Sequence, residues 1–222
     1  MIVAIDGPSG AGKSTLGRMI ARELGLLYID TGAMYRAAAL AVIESNVRAT
    51  DEVAVADVVG RSKIDLEGDP DSLRVTLDGR DVSEEIRSEQ VSHMSSVIST
   101  IPAVRRMLVE CQREMGQRGG GVVLDGRDIS TVVFPGADVK FYLTALPEER
   151  AHRRYEETRL KQRDVTLEET LADINARDQR DSTRADSPLA IADDAIVIDS
   201  TELSIEEVFK RMREAIRERT GK

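Results

Sequence analysis

The chain has 222 residues, 31 Lys and Arg against 40 Asp and Glu for a formal net charge of −9, 41% hydrophobic residues and only 3% aromatic ones. That is enough apolar sequence for one large α/β core, while the acidic balance disfavours attraction to nucleic acid or anionic membrane and the few aromatics disfavour base stacking as the main recognition mode. The single cysteine, Cys111, excludes an internal disulfide and suits a reducing, cytoplasmic setting, and no apolar run is long enough to cross a bilayer.

Residues 2–6, Ile-Val-Ala-Ile-Asp, read as a buried parallel strand that starts too early to leave room for a leader peptide. Gly7-Pro8-Ser9-Gly10-Ala11-Gly12-Lys13-Ser14 follows at once, a complete G-x-x-x-x-G-K-[ST] phosphate loop. Its glycines let backbone N–H groups face a phosphate without an intervening Cβ. Lys13 is the point charge for the β- and γ-phosphates, and the Ser14 hydroxyl is the expected Mg²⁺ ligand, with Thr15 adjacent. Residues 14–25 form a helix with Leu16, Met19, Ile20 and Leu24 on one face and Gly25 to end it. Strand, glycine loop and helix together give the motif its proper context.

Residues 26–30 predict a second strand that breaks at Thr31-Gly32 and resumes as a helix through Met34 to about residue 44. Arg36 falls in that helix's first turn, either solvated or facing an anion at the mouth of the sheet. A short helix over 50–60 precedes a β-rich insert, about 62–90, in which Leu73, Val75 and Leu77 alternate with polar residues and Asp78-Gly79 marks a hairpin. Leu-Asp-Gly-Arg-Asp occurs at 77–81 and again at 124–128. The first copy ends an alternating strand and reads as a turn. The second follows the continuous apolar run 121–124 and puts Asp125 at a strand's carboxyl end, as in a Walker-B aspartate.

Helices are expected over 83–99 and 102–115, the latter burying Val104, Met107, Leu108, Cys111 and Met115, so that Cys111 reads as a packed thiol. The two histidines, His93 and His152, have no ligand cluster around them that would make a zinc site. Residues 137–143 make a fourth strand. Pro147 opens a helix on which Arg150, Arg153 and Arg154 share a face, either a solvated one or a cationic clamp over phosphate. After a polar loop over 159–165, Thr166-x-x-Glu169 caps a helix whose stripe Leu167, Leu171, Ile174 runs on into Arg177, Asp181 and Arg184. Those charges form either an internal ion-pair cluster or the wall of an anion site. A fifth strand over 194–199 and an amphipathic helix over 204–219 close the chain.

The fold expected is a five-stranded parallel sheet of P-loop NTPase type with helices on both faces, the β-rich insert and an arginine-rich lid over about 150–166. It makes one domain over 1–222, its core comprising 1–61, 91–157 and 184–222. A GTPase would need an Asn-Lys-x-Asp motif, which is absent, and Asp65-x-x-Gly68 falls in the insert. A mechanical ATPase would need partner surfaces that the composition does not suggest. A small-molecule kinase needs a second anion site and a lid excluding water, which Arg36, Arg127, Arg150, Arg153, Arg154, Arg177 and Arg184 would supply.

The phosphate loop with Ile29-Asp30-Thr31-Gly32-Ala33-Met34-Tyr35-Arg36 and Leu124-Asp125-Gly126-Arg127-Asp128 resembles the nucleoside monophosphate kinases. With Thr131-Val132-Val133-Phe134-Pro135, Arg177-Asp178-Gln179-Arg180-Asp181 before Arg184, and the insert ending Asp81-Val82-Ser83-Glu84-Glu85-Ile86-Arg87, the chain is similar to bacterial cytidylate kinases over nearly its whole length. The resemblance implies transfer of phosphate from ATP to CMP and dCMP, with Mg²⁺, by a cytoplasmic enzyme that has only small-molecule partners. The monomeric state is read from the lack of an exposed apolar stripe. UMP or a non-nucleotide acceptor, or plain ATP hydrolysis, remain the alternatives. By resemblance Gly7 to Thr15 hold ATP; Thr31, Arg36 and Arg127 hold the monophosphate; Ser96, Arg105 and Asp128 read cytosine; Arg177, Asp181 and Arg184 meet the sugar and phosphate. Lys13, Arg127, Arg150 and Arg154 would act in the transfer, and Asp125 would stand behind the Ser14 metal site. A carboxylate at Asp128 suits the cytosine N4 donor and opposes the uracil carbonyl, which predicts preference for CMP over UMP.

Overall fold

A computed structural model describes residues 1–160 and 165–221. Five parallel strands stand in the order β2-β6-β1-β7-β8: β1 (Ile2–Asp6), β2 (Leu27–Asp30), β6 (Val122–Gly126), β7 (Val139–Thr144) and β8 (Ile196–Asp199). The register sets Ile5 beside Asp125 and Asp6 beside Gly126, and Asp30 also lies opposite Asp125. Three strand ends that carry acids therefore meet at one edge of the sheet, where doubly wound folds collect their ligands.

One apolar cluster packs α2 (Thr31–Glu44), α3 (Glu52–Arg61), α4 (Glu89–Ile98) and α5 (Pro102–Gln117) around Ala4, Ile29 and Leu124. The other packs α1 (Lys13–Leu24) and α8 (Ile205–Thr220) around Val3, Ile5, Val123 and Phe141. Helices thus cover both faces, so the strands other than the edge strand β8, where Val197 is exposed, are largely apolar on both sides and read as apolar runs in the sequence. The 62–90 region holds a separate antiparallel sheet of β3 (Ile64–Glu67), β4 (Arg74–Leu77) and β5 (Arg80–Asp81). Its turn places Asp78 at φ 52 and Gly79 at φ 82, the left-handed pair that a tight hairpin requires.

Several expected boundaries move. The second strand passes into α2 without a break at Thr31-Gly32, because the Asp30 side chain accepts the Ala33 N–H and caps the helix. Arg36 is therefore in the second turn. The helix expected over 83–99 is divided at Ser88, whose hydroxyl caps α4 behind a short 3₁₀ turn at Glu85–Arg87. Helix α6 (Pro147–Leu160) runs two residues into the expected polar loop, and residues 161–164 of that loop, within the expected lid, lie outside the described residues. Leu167, expected on an apolar stripe, is exposed at the first position of α7 (Leu167–Thr183), where the Thr166–Glu169 capping box forms as read. A five-residue π-turn, Ile129–Val133, follows β6 and has no signature in the sequence pattern.

Candidate active site

The phosphate loop is shaped by what surrounds it. Gly7 has φ 145, and a Cβ there would come to 2.0 Å from the Leu143 carbonyl oxygen of β7, so only glycine fits. Gly12 sits at φ 88 and starts α1, whose free N–H groups open toward the cleft. Lys13 is buried and its ammonium donates to the Pro8 carbonyl at 2.6 Å. Burial first, and then the Arg127 guanidinium, lowers its pKa from 10.5 to about 7, against the pull of Asp125 and Asp181.

Asp125 ties the loop to the sheet. Its carboxylate accepts the Ser14 hydroxyl at 2.8 Å and the Tyr28 hydroxyl at 2.8 Å. Burial, aided by nearby Asp30, raises its pKa to about 6, and Lys13, Ser14 and Tyr28 oppose the rise. Thr15 is exposed, so of the two adjacent hydroxyls it is Ser14 that stands at the carboxylate. The Thr31 hydroxyl donates to the Asp125 carbonyl at 2.7 Å, which brings the start of α2 to the same strand end.

A second group of residues gathers around the loop that follows β6. Arg127 donates from Nε to Asp181 at 2.7 Å and from Nη1 to the Gly126 carbonyl at 3.2 Å. Asp128 accepts from Arg105 at 2.5 Å, both side chains nearly fully buried. Arg184 lies 3.8 Å from Asp128 and 3.5 Å from Asp181. The Arg105 guanidinium also stacks 5.5 Å over the Tyr35 ring. The Tyr35 hydroxyl, the Arg105 Nε and an amino group of Arg184 are buried there without hydrogen-bond partners among the described residues. Burial, the largest influence, raises the Tyr35 pKa to about 12, so its hydroxyl stays a donor. Buried polar atoms are normally satisfied, and three orphans in one cluster point to a polar ligand.

Other expected residues stand differently. Arg36 pairs with Asp30 at 3.3 Å and lines the cleft. Ser96 accepts a hydrogen bond from Arg180 of α7, and Arg177 reaches Ser92 at 3.3 Å and Asp173 at 2.9 Å. The arginine face of α6 is not a uniform clamp. Arg150 is buried, donating to the Ser9 carbonyl at 3.0 Å and the Ala145 carbonyl at 2.9 Å and pairing with Asp178 at 2.7 Å. It braces the phosphate loop from within, since three backbone and side-chain acceptors already occupy its fork. Arg153 holds the Ser200 carbonyl at 2.6 Å, and Arg154 lines the cleft. The stripe ending at Arg184 forms an ion-pair cluster through Asp181, which pairs with Arg127 at 2.7 Å and Arg184 at 3.5 Å.

The phosphate loop, Asp125, Arg36, Arg127 and Arg154 line one cleft of about 650 Å³, and the buried cluster of Tyr35, Arg105, Asp128 and Arg184 lies behind Arg127 and is not part of its lining. The cleft is also lined by Arg18 and Arg87, which sequence reasoning missed. Arg18 lies four residues after Ser14 on the same helix face, and that spacing was a usable signal. The Asp6 carboxylate, in the sequence only the polar end of a strand, is buried and accepts the Ile129 and Ser130 N–H groups. The arrangement sets a phosphate loop beside an arginine-rich group that holds two buried carboxylates, Asp128 and Asp181, a layout suited to bringing two anionic groups together.

Known proteins match the chain over nearly its whole length. The family described as cytidylate kinase matches residues 3–218. A cytidylate kinase of Caldanaerobacter subterraneus subsp. tengcongensis is 53% identical over 218 residues, covering 98% of this chain and 95% of that protein. The cytidylate kinase of Geobacter sulfurreducens is 49% identical over 219 residues, covering 99% and 94%. A crystal structure of an uncharacterized protein from Eubacterium ventriosum matches 99% of both chains with a TM-score of 0.53 at 10% identity, a likeness of fold alone.

Proposed function

The chain belongs to the cytidylate kinase family, and from that premise we propose how its cleft works. The reaction is transfer of the γ-phosphoryl group of ATP to CMP, giving ADP and CDP. The observation that carries the reading of the acceptor side is the cluster of orphaned donors around Asp128. Asp128 accepts from the cytosine amino group, and the free hydrogen-bonding capacity of Tyr35, Arg105 and Arg184 meets the rest of the nucleotide. Arg36, Arg127 and the Thr31 hydroxyl hold the monophosphate, while Arg177, Asp181 and Arg184 face its sugar side. Ser96 lies toward the base, tethered by Arg180.

On the donor side, N–H groups of the loop and the start of α1 receive the β- and γ-phosphates. Lys13 exchanges its Pro8 carbonyl for a phosphate oxygen and regains full charge. The Ser14 hydroxyl backed by the Asp125 carboxylate is a hard oxygen set that fits Mg²⁺. That ion supplies charge neutralisation on the phosphate oxygens. An α-phosphate oxygen of CMP attacks the γ-phosphorus in line. Lys13, Arg127 and Arg154 neutralise charge on the group in transit, and Arg150 keeps the loop rigid beneath it. Helix α6, whose Arg154 lines the cleft, covers the site against water. We place the enzyme in the cytoplasm as a monomer serving pyrimidine nucleotide metabolism, using dCMP as well as CMP.

A coupled ADP-release assay with CMP, dCMP, UMP, AMP and shikimate tests the reading. CMP and dCMP should drive ADP release, and the others should do so weakly. Release that ignores the acceptor would make the protein an ATPase. Preference for UMP or shikimate would move the specificity away from Asp128.

A further inference from the structure

The carboxylate of Asp6, the last residue of β1, takes no part in the transfer described above, yet it is fully buried and fully engaged. One oxygen accepts the Ile129 N–H at 2.8 Å. The other accepts the Ser130 N–H at 2.8 Å and also the Ser130 hydroxyl. Burial raises the Asp6 pKa, and the hydrogen bonds from Ser130 and Ile129 work against that rise.

Those two N–H groups open the π-turn at Ile129–Val133, and such leading donors have no partner within the turn itself. The residue at the capping position is Asp128. Aspartate there normally folds back and accepts the N–H of the second or third residue of the turn, here Ser130 or Thr131, with its own side chain. Asp128 makes no such bond. Its carboxylate instead faces Arg105 at 2.5 Å and Arg184 at 3.8 Å. The register explains how this is possible. Asp6 lies beside Gly126, and between Gly126 and Ile129 stand only Arg127 and Asp128. A carboxylate from the neighbouring strand thus anchors the chain on the far side of both.

We propose that Asp6 is a positioning residue for base selection: it caps the π-turn from β1 and so leaves the Asp128 carboxylate free to meet the pyrimidine. This rests on Asp128 as the cytosine reader. Without Asp6, the Ile129 and Ser130 N–H groups are buried donors in search of an acceptor, and the nearest carboxylate on their own turn is that of Asp128. Because Asp6 also precedes Gly7, one residue ties the donor loop to the base-reading loop.

The test is Asp6→Asn, which keeps shape and one acceptor but turns an amide donor toward the Ser130 N–H. Values of kcat/KM for CMP and for UMP, with KM for ATP, are measured in wild type, Asp6→Asn, Asp128→Asn and the double variant. Asp6→Asn should lower kcat/KM for CMP about tenfold or more and contract the CMP/UMP ratio to match, with KM for ATP held within about twofold. In the Asp128→Asn background the same change should add less than about twofold, since its target is already gone. An unchanged CMP/UMP ratio in Asp6→Asn, or factors that multiply in the double variant, would overturn the proposal. An unchanged ratio in Asp128→Asn alone would instead remove the base-reading assignment beneath it. Should Asp6→Asn not fold, Asp6→Glu carries the same test, with the same direction expected from its displaced oxygens.

Discussion

Lys13 offers a quantitative test of the donor site in the absence of any nucleotide. Lys13 is 6% exposed, its ammonium donates to the Pro8 carbonyl, and its pKa is lowered from 10.5 to about 7 by burial and by Arg127. The folded state therefore binds fewer protons at Lys13 than the unfolded chain between those two values, and stability rises with pH across that window. At pH 7 and 1.36 kcal/mol per pKa unit, the buried ammonium costs the fold roughly 4 kcal/mol, and at pH 10 less than about 1 kcal/mol. Lys13→Met removes that cost but strands the Pro8 carbonyl and takes the cation from beside Asp125, which returns about 1–3 kcal/mol. The net is a variant about 1–3 kcal/mol more stable than wild type at pH 7, a rise of several degrees in Tm for a chain of this size, while turnover is lost. Urea unfolding followed by circular dichroism at pH 7 and at pH 10 would measure it. The advantage should vanish or reverse at pH 10. A variant less stable than wild type at pH 7, or a difference unmoved by pH, would refute the reasoning.

Three further outcomes follow from the same contacts. Binding of ATP without metal should draw protons onto Lys13, roughly half a proton per site at pH 7 and more at pH 8, read by calorimetry in buffers of different ionisation enthalpy, and Lys13→Met should abolish the uptake. Arg150→Lys cannot serve Ser9, Ala145 and Asp178 together, so kcat should fall about tenfold or more in steady-state assays, with KM for CMP changed far less; unchanged kcat would mean the loop needs no brace. Gly7→Ala should yield no soluble folded enzyme, because its Cβ would sit 2.0 Å from the Leu143 oxygen; a normal melting curve would contradict that packing.

The sheet was legible because strands buried on both faces read as apolar runs, a mark clear at residues 2–6, 27–30 and 122–124 and still readable at 139–144 around Lys140 and at 196–199, the edge strand with Val197 exposed. The phosphate loop was legible because its chemistry demands fixed residue types at fixed spacing. The two copies of Leu-Asp-Gly-Arg-Asp were told apart by the strands before them, and the structure puts one in a hairpin and the other at the cleft. What stayed hidden depends on partners distant in sequence. Arg150 was read with Arg153 and Arg154 as one face, and nothing in helical spacing says that Ser9 and Asp178 would enclose it. Asp6 seemed only the polar end of a strand, and its role appears once β6 lies beside β1 and brings the π-turn within reach. The start of α2 was misplaced because Gly32 suggested a break, when a capping carboxylate at Asp30 made it the first turn.

The central claim is that a buried carboxylate, held between Arg105 and Arg184, chooses the base. The most direct test is the ratio of kcat/KM for CMP over UMP, measured in wild type at saturating ATP. A carboxylate that accepts from the cytosine amino group and faces the uracil carbonyl should give a ratio of about ten or more. Equal use of the two nucleotides would contradict the account.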